Sequence, residues 1–204
     1  MNSSFRSAPC RPKVTFNAPA VLGFALVCLA ALIIDRMTGG AANDYVFSVY
    51  RWPLYRPMAW VRLICHIFGH AGWDHLLGNM MYILIIGPML EEKYGSWNIV
   101  FVMLATAAVT GLVHMAFFPG LALCGASGVV FAFILLSSIT DIREGEIPLT
   151  FILVAVLYTG QQVYQCFFYK DNISQFTHIL GGGVGAVLGF FMNRKGLTRY
   201  RAQR

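Results

Sequence analysis

Residues 97–118, WNIVFVMLATAAVTGLVHMAFF, contain no Asp, Glu, Lys or Arg over 22 positions. An α-helix of this length is roughly 33 Å long and matches the hydrocarbon core of a bilayer. The rest of the chain has the same character, because 57% of its 204 residues are hydrophobic and 12% are charged. Soluble domains carry about 25% charged residues. We therefore expect an all-α membrane protein and exclude a water-soluble globule.

Five further stretches lack these four residue types, so the sequence predicts six membrane spans. The six are residues 18–34, 76–90, 97–118, 125–140, 147–168 and 176–192. The second, fourth and sixth have roughly 15 to 17 residues, fewer than the ~20 that a crossing needs, so we expect them inside a bundle with water at one end. Residues 35–73 form an unusually long, aromatic-rich connection, which predicts a structured, partly embedded first loop.

Basic residues are concentrated at the two ends of the chain. With the N-terminus inside, ten Lys and Arg lie on the inner side of the spans and five on the outer side. This excess predicts that both ends are cytoplasmic, with residues 1–17 and 194–204 as tails around a six-span domain at 18–193. The net charge of +6 is therefore a topology signal and does not indicate a nucleic-acid partner.

The five cysteines indicate neither a disulfide framework nor a zinc ribbon, since their number is odd and no CxxC occurs. We expect them to be mostly small apolar fillers. No small-residue cleavage site follows the first apolar stretch, so no removable signal peptide is predicted.

Polar clusters occur at the start of each even-numbered span, and these spans share one direction. The clusters are His75 and Asn79 at the start of the second span, Gly125, Ser127 and Gly128 at the start of the fourth, and His178, Gly181 and Gly185 at the start of the sixth. Polar groups inside a membrane are costly and mark functional sites by default. In the predicted orientation, all three clusters lie at the outer face.

Ser127 and His178 form a candidate nucleophile and base, because a serine hydroxyl attacks only when a base removes its proton. His75, Asn79 and the Ser127 N–H are candidate donors to an oxyanion, each contributing on the order of 3 kcal/mol. No carboxylate lies in any span, so a dyad is implied. Each feature also has a structural explanation, since G-x-S-G arises at helix contacts and a membrane His often only donates hydrogen bonds. Their shared leaflet favours the chemical interpretation.

Together these features resemble the rhomboid family of intramembrane serine proteases, over residues 18 to 193. Further resemblances are Trp60-Val-Arg62, His66 and His70 ahead of His75, and the turn Glu91-Glu-Lys-Tyr-Gly95. The resemblance implies a rhomboid-like six-helix bundle with Ser127 as nucleophile and His178 as its partner. It places His75 and Asn79 in the oxyanion region. The helix-packing residues near this site would be Gly125, Gly128, Phe131, Gly181 and Gly185, with Phe131 where many members carry a Tyr stacked on the catalytic His.

The resemblance implies an intramembrane serine endopeptidase that needs no cofactor or metal and cleaves single-pass proteins near the outer leaflet. Its partners would be transmembrane substrates and the lipid bilayer, and a bacterial cytoplasmic membrane its location. One alternative is a catalytically silent, rhomboid-like binder of transmembrane helices, against which the intact Ser127 and His178 argue. A histidine-box metalloenzyme built on His66, His70 and His75 is disfavoured, because five histidines in all supply too few ligands for a di-iron centre.

Overall fold

The computed structural model describes residues 16–139, 149–168 and 172–202, and the regular elements of the described part are helices joined by loops. Its α-helices are α1 (Pro19–Met37), α2 (Pro57–Cys65), α3 (Trp73–Tyr94), α4 (Ser96–Phe117), α5 (Ser127–Ile139), α6 (Leu149–Phe168) and α7 (Asn172–Ala202). A short π-helix, Asn43–Phe47, and a 3₁₀ turn, His66–Phe68, lie between α1 and α3. Each predicted span thus overlaps one helix.

Among the described residues, three helical segments are long and apolar enough to cross a membrane: Pro19–Met37, Ser96–Phe117 and Phe176–Asn193. The other predicted spans also form helices, but they are not equivalent. The described part of helix α5 has 13 residues, from Ser127 to Ile139, and is roughly 20 Å long. Helix α7 is 31 residues long and continues to Ala202, into the segment predicted to be a C-terminal tail.

The predicted turn after the second span is wrong for most of its length, because α3 continues through residues 91–94 and Gly95 is its C-cap. Gly95 has φ of +83°, a conformation that glycine adopts without strain. Glu91 is buried, and its carboxylate accepts hydrogen bonds from the N–H groups of Ala20 and Val21 at 2.9 Å. It also accepts one from the Ser96 hydroxyl at 2.6 Å. Glu91 is therefore accommodated in the last turn of α3, because its carboxylate caps the first turn of α1.

Helix α5 is the centre of the bundle and packs against α3, α4, α6 and α7. Its side chains at Val129, Phe133 and Leu136 are fully buried. Helix α7 approaches it most closely, at two glycines spaced four residues apart. A Cβ on Gly181 would lie 2.9 Å from the Cα of Gly128, and one on Gly185 would lie 2.6 Å from the Cα of Ala132. The backbones of α5 and α7 are therefore in direct contact.

The long connection between α1 and α3 is anchored to the bundle by a backbone bridge and is held together internally by Arg62. Val49 and Leu123 exchange two backbone hydrogen bonds of 2.9 Å in an isolated antiparallel bridge. Arg62 is buried, donates to the Tyr45 carbonyl at 2.8 Å, and lies 4.4 Å from the centre of the Tyr50 ring. Trp60 is largely exposed on the other side of α2. The bridge links this connection directly to the segment that precedes α5.

Candidate active site

The N-terminal ends of α3 and α5 and the first half of α7 enclose a cavity of about 350 Å³. Its lining residues are Asp74, His75, Gly78, Asn79, Tyr82, Leu123, Cys124, Ser127, Val130, Phe131 and His178. The four polar side chains singled out in the sequence thus border one cavity, although they come from three helices. Because the three helices run in the same direction, their starts lie at one end of the bundle.

Ser127 is half-buried and is the first residue of α5. The Ala126 carbonyl accepts the first α-helical hydrogen bond, from the Val130 N–H at 2.9 Å. The N–H of Ser127 therefore belongs to the first turn, whose donors have no acceptor within the helix. Gly125 has φ of +136° and donates its N–H to the His66 carbonyl at 2.9 Å, which fixes the loop ahead of the serine. This geometry places a hydroxyl and the first turn of a helix at the edge of the cavity.

His178 is half-buried on α7 and packs against Phe131. The centres of the two rings are 4.3 Å apart and their planes meet at 46°, within the range of tilted aromatic contacts. Gly181 lies three residues further along α7, on the same helical face, and touches the backbone of Gly128. The contact between α5 and α7 therefore sets how far the imidazole lies from the start of α5.

Asn79 and His75 present N–H donors to the other side of the cavity. Asn79 is buried, and its Nδ2 has no hydrogen-bond partner among the residues that the structure describes. His75 Nδ1 accepts the Ala71 N–H at 3.4 Å, so the proton of the neutral ring resides on Nε2. This Nε2 lies 2.9 Å from the position that a Cβ on Gly125 would occupy. Any side chain at Gly125 would therefore collide with the imidazole.

Three cavity-wall side chains that carry a titratable group were not singled out as site residues in the sequence: Asp74, Tyr82 and Cys124. Helical spacing could have found Tyr82, because it lies three residues after Asn79 on the same face of α3. Cys124 lies three residues before Ser127, in a loop whose shape the sequence does not predict. Burial raises the pKa of the Cys124 thiol, which keeps it protonated and makes it a poor nucleophile.

His66 and His70 support the loops around the cavity and are not among the residues that line it. Both are buried, and burial lowers the pKa of each to about 4, so both are neutral at pH 7. His66 Nδ1 donates to the Leu63 carbonyl at 3.0 Å, and His70 Nδ1 donates to the Phe68 carbonyl at 3.1 Å. No group of three or more His, Cys, Asp or Glu side chains converges as a metal site within the described ranges.

The fold and the site together define a class of protein. It is an all-helical membrane protein in which a serine, two histidines and an asparagine border one cavity. A family model of the rhomboid domain matches residues 57–195, which include every one of these side chains. The chain belongs to the rhomboid family.

Similarity to individual members extends over most of the chain. The sequence is 33% identical to rhomboid-related protein 1 of Caenorhabditis elegans over 159 residues, 74% of this chain and 43% of that protein. It is 32% identical to rhomboid-related protein 2 of the mouse over 151 residues, 68% of this chain and 49% of that protein. Against the rhomboid protease GlpG of Haemophilus influenzae it is 26% identical over 176 residues, 81% of this chain and 87% of that protein. The chain thus spans less than half the length of the first two relatives.

Proposed function

We propose that this protein is an intramembrane serine endopeptidase that cleaves single-pass membrane proteins through a dyad of Ser127 and His178. The observation that carries the proposal is the shared cavity, into which a nucleophile, a base and two N–H donors converge. The name of the relative from Haemophilus influenzae, a rhomboid protease, supports the same reaction class. A protein that only bound helices would have no need for this chemical combination.

In the proposed reaction, His178 takes the proton of the Ser127 hydroxyl as the oxygen attacks the scissile carbonyl carbon. The tetrahedral intermediate collapses when the C–N bond breaks and His178 returns its proton to the leaving amine. Water then enters, loses a proton to His178 and attacks the acyl-enzyme ester. Collapse of this second intermediate releases a carboxylate product and restores the serine hydroxyl. No carboxylate is assigned to orient the base, and the contact with Phe131 holds the ring instead.

Negative charge on the oxyanion is proposed to be stabilised by Asn79 Nδ2, His75 Nε2 and the Ser127 N–H. An unpartnered buried amide costs free energy unless a ligand uses it, which is the property expected of a preorganised donor. Replacing either His75 or Asn79 by Ala should therefore slow turnover by roughly 10- to 10³-fold. The hydroxyl would still be activated, so slow cleavage should remain.

The cut is proposed to lie near the outer leaflet of the membrane, in the orientation that places both chain ends in the cytoplasm. Water must reach the acyl-enzyme, and the cavity lies at the end of the bundle where helix α5 begins. A substrate helix must unwind before its carbonyls can be attacked, and in hydrocarbon each unsatisfied group costs several kcal/mol. We therefore expect cleavage in the outer juxtamembrane segment or first turns of substrates, where small, Gly, Pro or polar residues already weaken the helix.

The dyad is tested with the variants Ser127→Ala and His178→Ala and their double mutant. Each should abolish cleavage, and the double variant should be no worse than either single one, because nucleophile and base act as a unit. Ser138→Ala is the matched control, since its hydroxyl lies on the same helix but donates to the Ile134 carbonyl. More than a few per cent of wild-type cleavage in Ser127→Ala would refute the mechanism.

A fluorophosphonate probe distinguishes the protease from the two alternatives. Labelling that depends on Ser127 is expected of the protease, whereas a silent binder would retain transmembrane peptides without being labelled. Activity should survive a strong chelator, and loss restored by zinc would instead point to His66, His70 and His75.

The depth of the cut in the membrane is tested with a designed substrate in which a helix-weakening Gly-Pro pair is shifted in steps of one turn. The cut is mapped by mass spectrometry. Cleavage that followed the pair into the cytoplasmic third would contradict the proposed topology.

A further inference from the structure

Asp74 is the one Asp, Glu, Lys or Arg among the residues that line the cavity. It is exposed in the first turn of α3, directly before His75. No described hydrogen bond or ion pair uses its carboxylate. A free negative charge therefore stands at the rim of a cavity whose lining includes the apolar side chains of Leu123, Val130 and Phe131.

The position has a structural explanation, because an acidic residue in the first turn of a helix interacts favourably with the helix dipole. That role requires only a place in the turn and does not require the side chain to border the cavity. Asp44, in the first turn of the π-helix, is also exposed but is not in the cavity wall. Comparing variants of Asp74 and Asp44 therefore distinguishes an effect on a helix end from an effect at the cavity.

We propose that Asp74 is a specificity-determining residue that favours substrates with a Lys or Arg in the segment lying against the start of α3. The inference rests on the proposed protease function and specifies the chemistry of its substrate. A carboxylate attracts a cation more strongly where apolar side chains displace water between the two charges than it does in bulk water, and a substrate seated on Leu123, Val130 and Phe131 would displace such water. Lys and Arg also reach polar sites from apolar surroundings, because their long aliphatic stems pack against apolar surface. Asp or Glu at the same substrate position is repelled.

The test is a charge scan of a designed single-pass substrate, with Lys, Gln or Glu placed in turn at each of the three residues on either side of the cut. Values of kcat/KM are measured for the wild-type chain, Asp74→Asn, Asp74→Glu and the control Asp44→Asn. We expect one position at which the wild type prefers Lys over Glu by about tenfold, with Gln between them. The preference should persist in Asp74→Glu and Asp44→Asn and fall to about one in Asp74→Asn. It should also weaken between about 0.05 and 1 M salt, where screening becomes strong.

A wild-type enzyme that shows no charge preference, or one that Asp74→Asn leaves unchanged, overturns the inference while the protease function stands. If Asp74→Asn instead loses thermal stability and cleaves all substrates equally poorly, the residue is only a helix-end charge and the inference fails. Failure of the protease function is detected separately, by measuring how the same peptides bind to Ser127→Ala with and without Asp74→Asn. A Lys preference in binding without any cleavage by the wild type would support the charge selection and refute the proteolysis.

Discussion

Replacing Gly181 by Ala should damage this protein far more than replacing Gly183, two residues along the same helix. The added Cβ at Gly181 would lie 2.9 Å from the Cα of Gly128, where ordinary contacts are 3.4–4 Å, while nothing lies within 4 Å of the equivalent point on Gly183. The obstructing atoms are backbone, which has no rotamer to change. Helix α7 must therefore move away from α5 by roughly 1 Å to restore normal carbon–carbon contact.

The displacement should lower both the stability of the protein and its rate of cleavage. Overpacking of this kind typically costs about 1–3 kcal/mol of stability. Gly183→Ala should instead be neutral or stabilise by up to about 1 kcal/mol, because Ala is the better helix former. Activity should respond more strongly than stability, since His178 lies three residues before Gly181, and a 1 Å misplacement of a catalytic group can cost about 10²-fold in rate.

The assay compares thermal unfolding in detergent with kcat/KM on one transmembrane substrate, for Gly181→Ala and its matched control Gly183→Ala. We expect lower stability and about a hundredfold loss of kcat/KM for the first variant, and wild-type behaviour or slightly higher stability for the second. Equal stability and equal cleavage in the two variants would refute the argument that backbone contact between α5 and α7 positions the base.

Three further predictions concern the proposed oxyanion donor Asn79, the buried carboxylate of Glu91, and the pH dependence of stability. Asn79→Ala should keep its fluorophosphonate labelling while losing turnover, and loss of both would assign Asn79 a structural role. Glu91→Gln should lower the unfolding free energy by about 1.5–3 kcal/mol, because it weakens charge-assisted bonds to the first turn of α1. The exposed Glu92→Gln is its control, and equal melting temperatures for the two variants would contradict this role. Since burial lowers the pKa of His66 and His70 to about 4, the unfolded chain binds more protons below pH 6.5. Stability should therefore be complete above pH 6.5 and fall towards pH 4, by up to about 3 kcal/mol per histidine, as measured by denaturant unfolding at several pH values.

Helix positions were largely predictable because each apolar stretch lacks charge and must satisfy its backbone internally. The errors occurred where a tertiary contact overrides local composition. Residues 91–94 look like a polar turn, yet α3 continues through them because Glu91 caps α1. The sequence also predicts a structured connection over residues 35–73, and this prediction is not among the errors, but it does not indicate that Val49 pairs with Leu123, a segment far away in sequence.

The sequence by itself determined the membrane class, the family resemblance and the four polar side chains, since spacing and composition are local properties of the chain. Tertiary structure alone decided that these side chains border one cavity, because three helices from distant parts of the chain must begin at the same end of the bundle. It also decided which neighbours join them: Asp74 and Cys124 line the cavity only because the starts of α3 and α5 face each other. The sequence indicated Gly128, Gly181 and Gly185 as packing residues, but the pairing of Gly181 with Gly128 and of Gly185 with Ala132 depends on how α5 and α7 pack against each other.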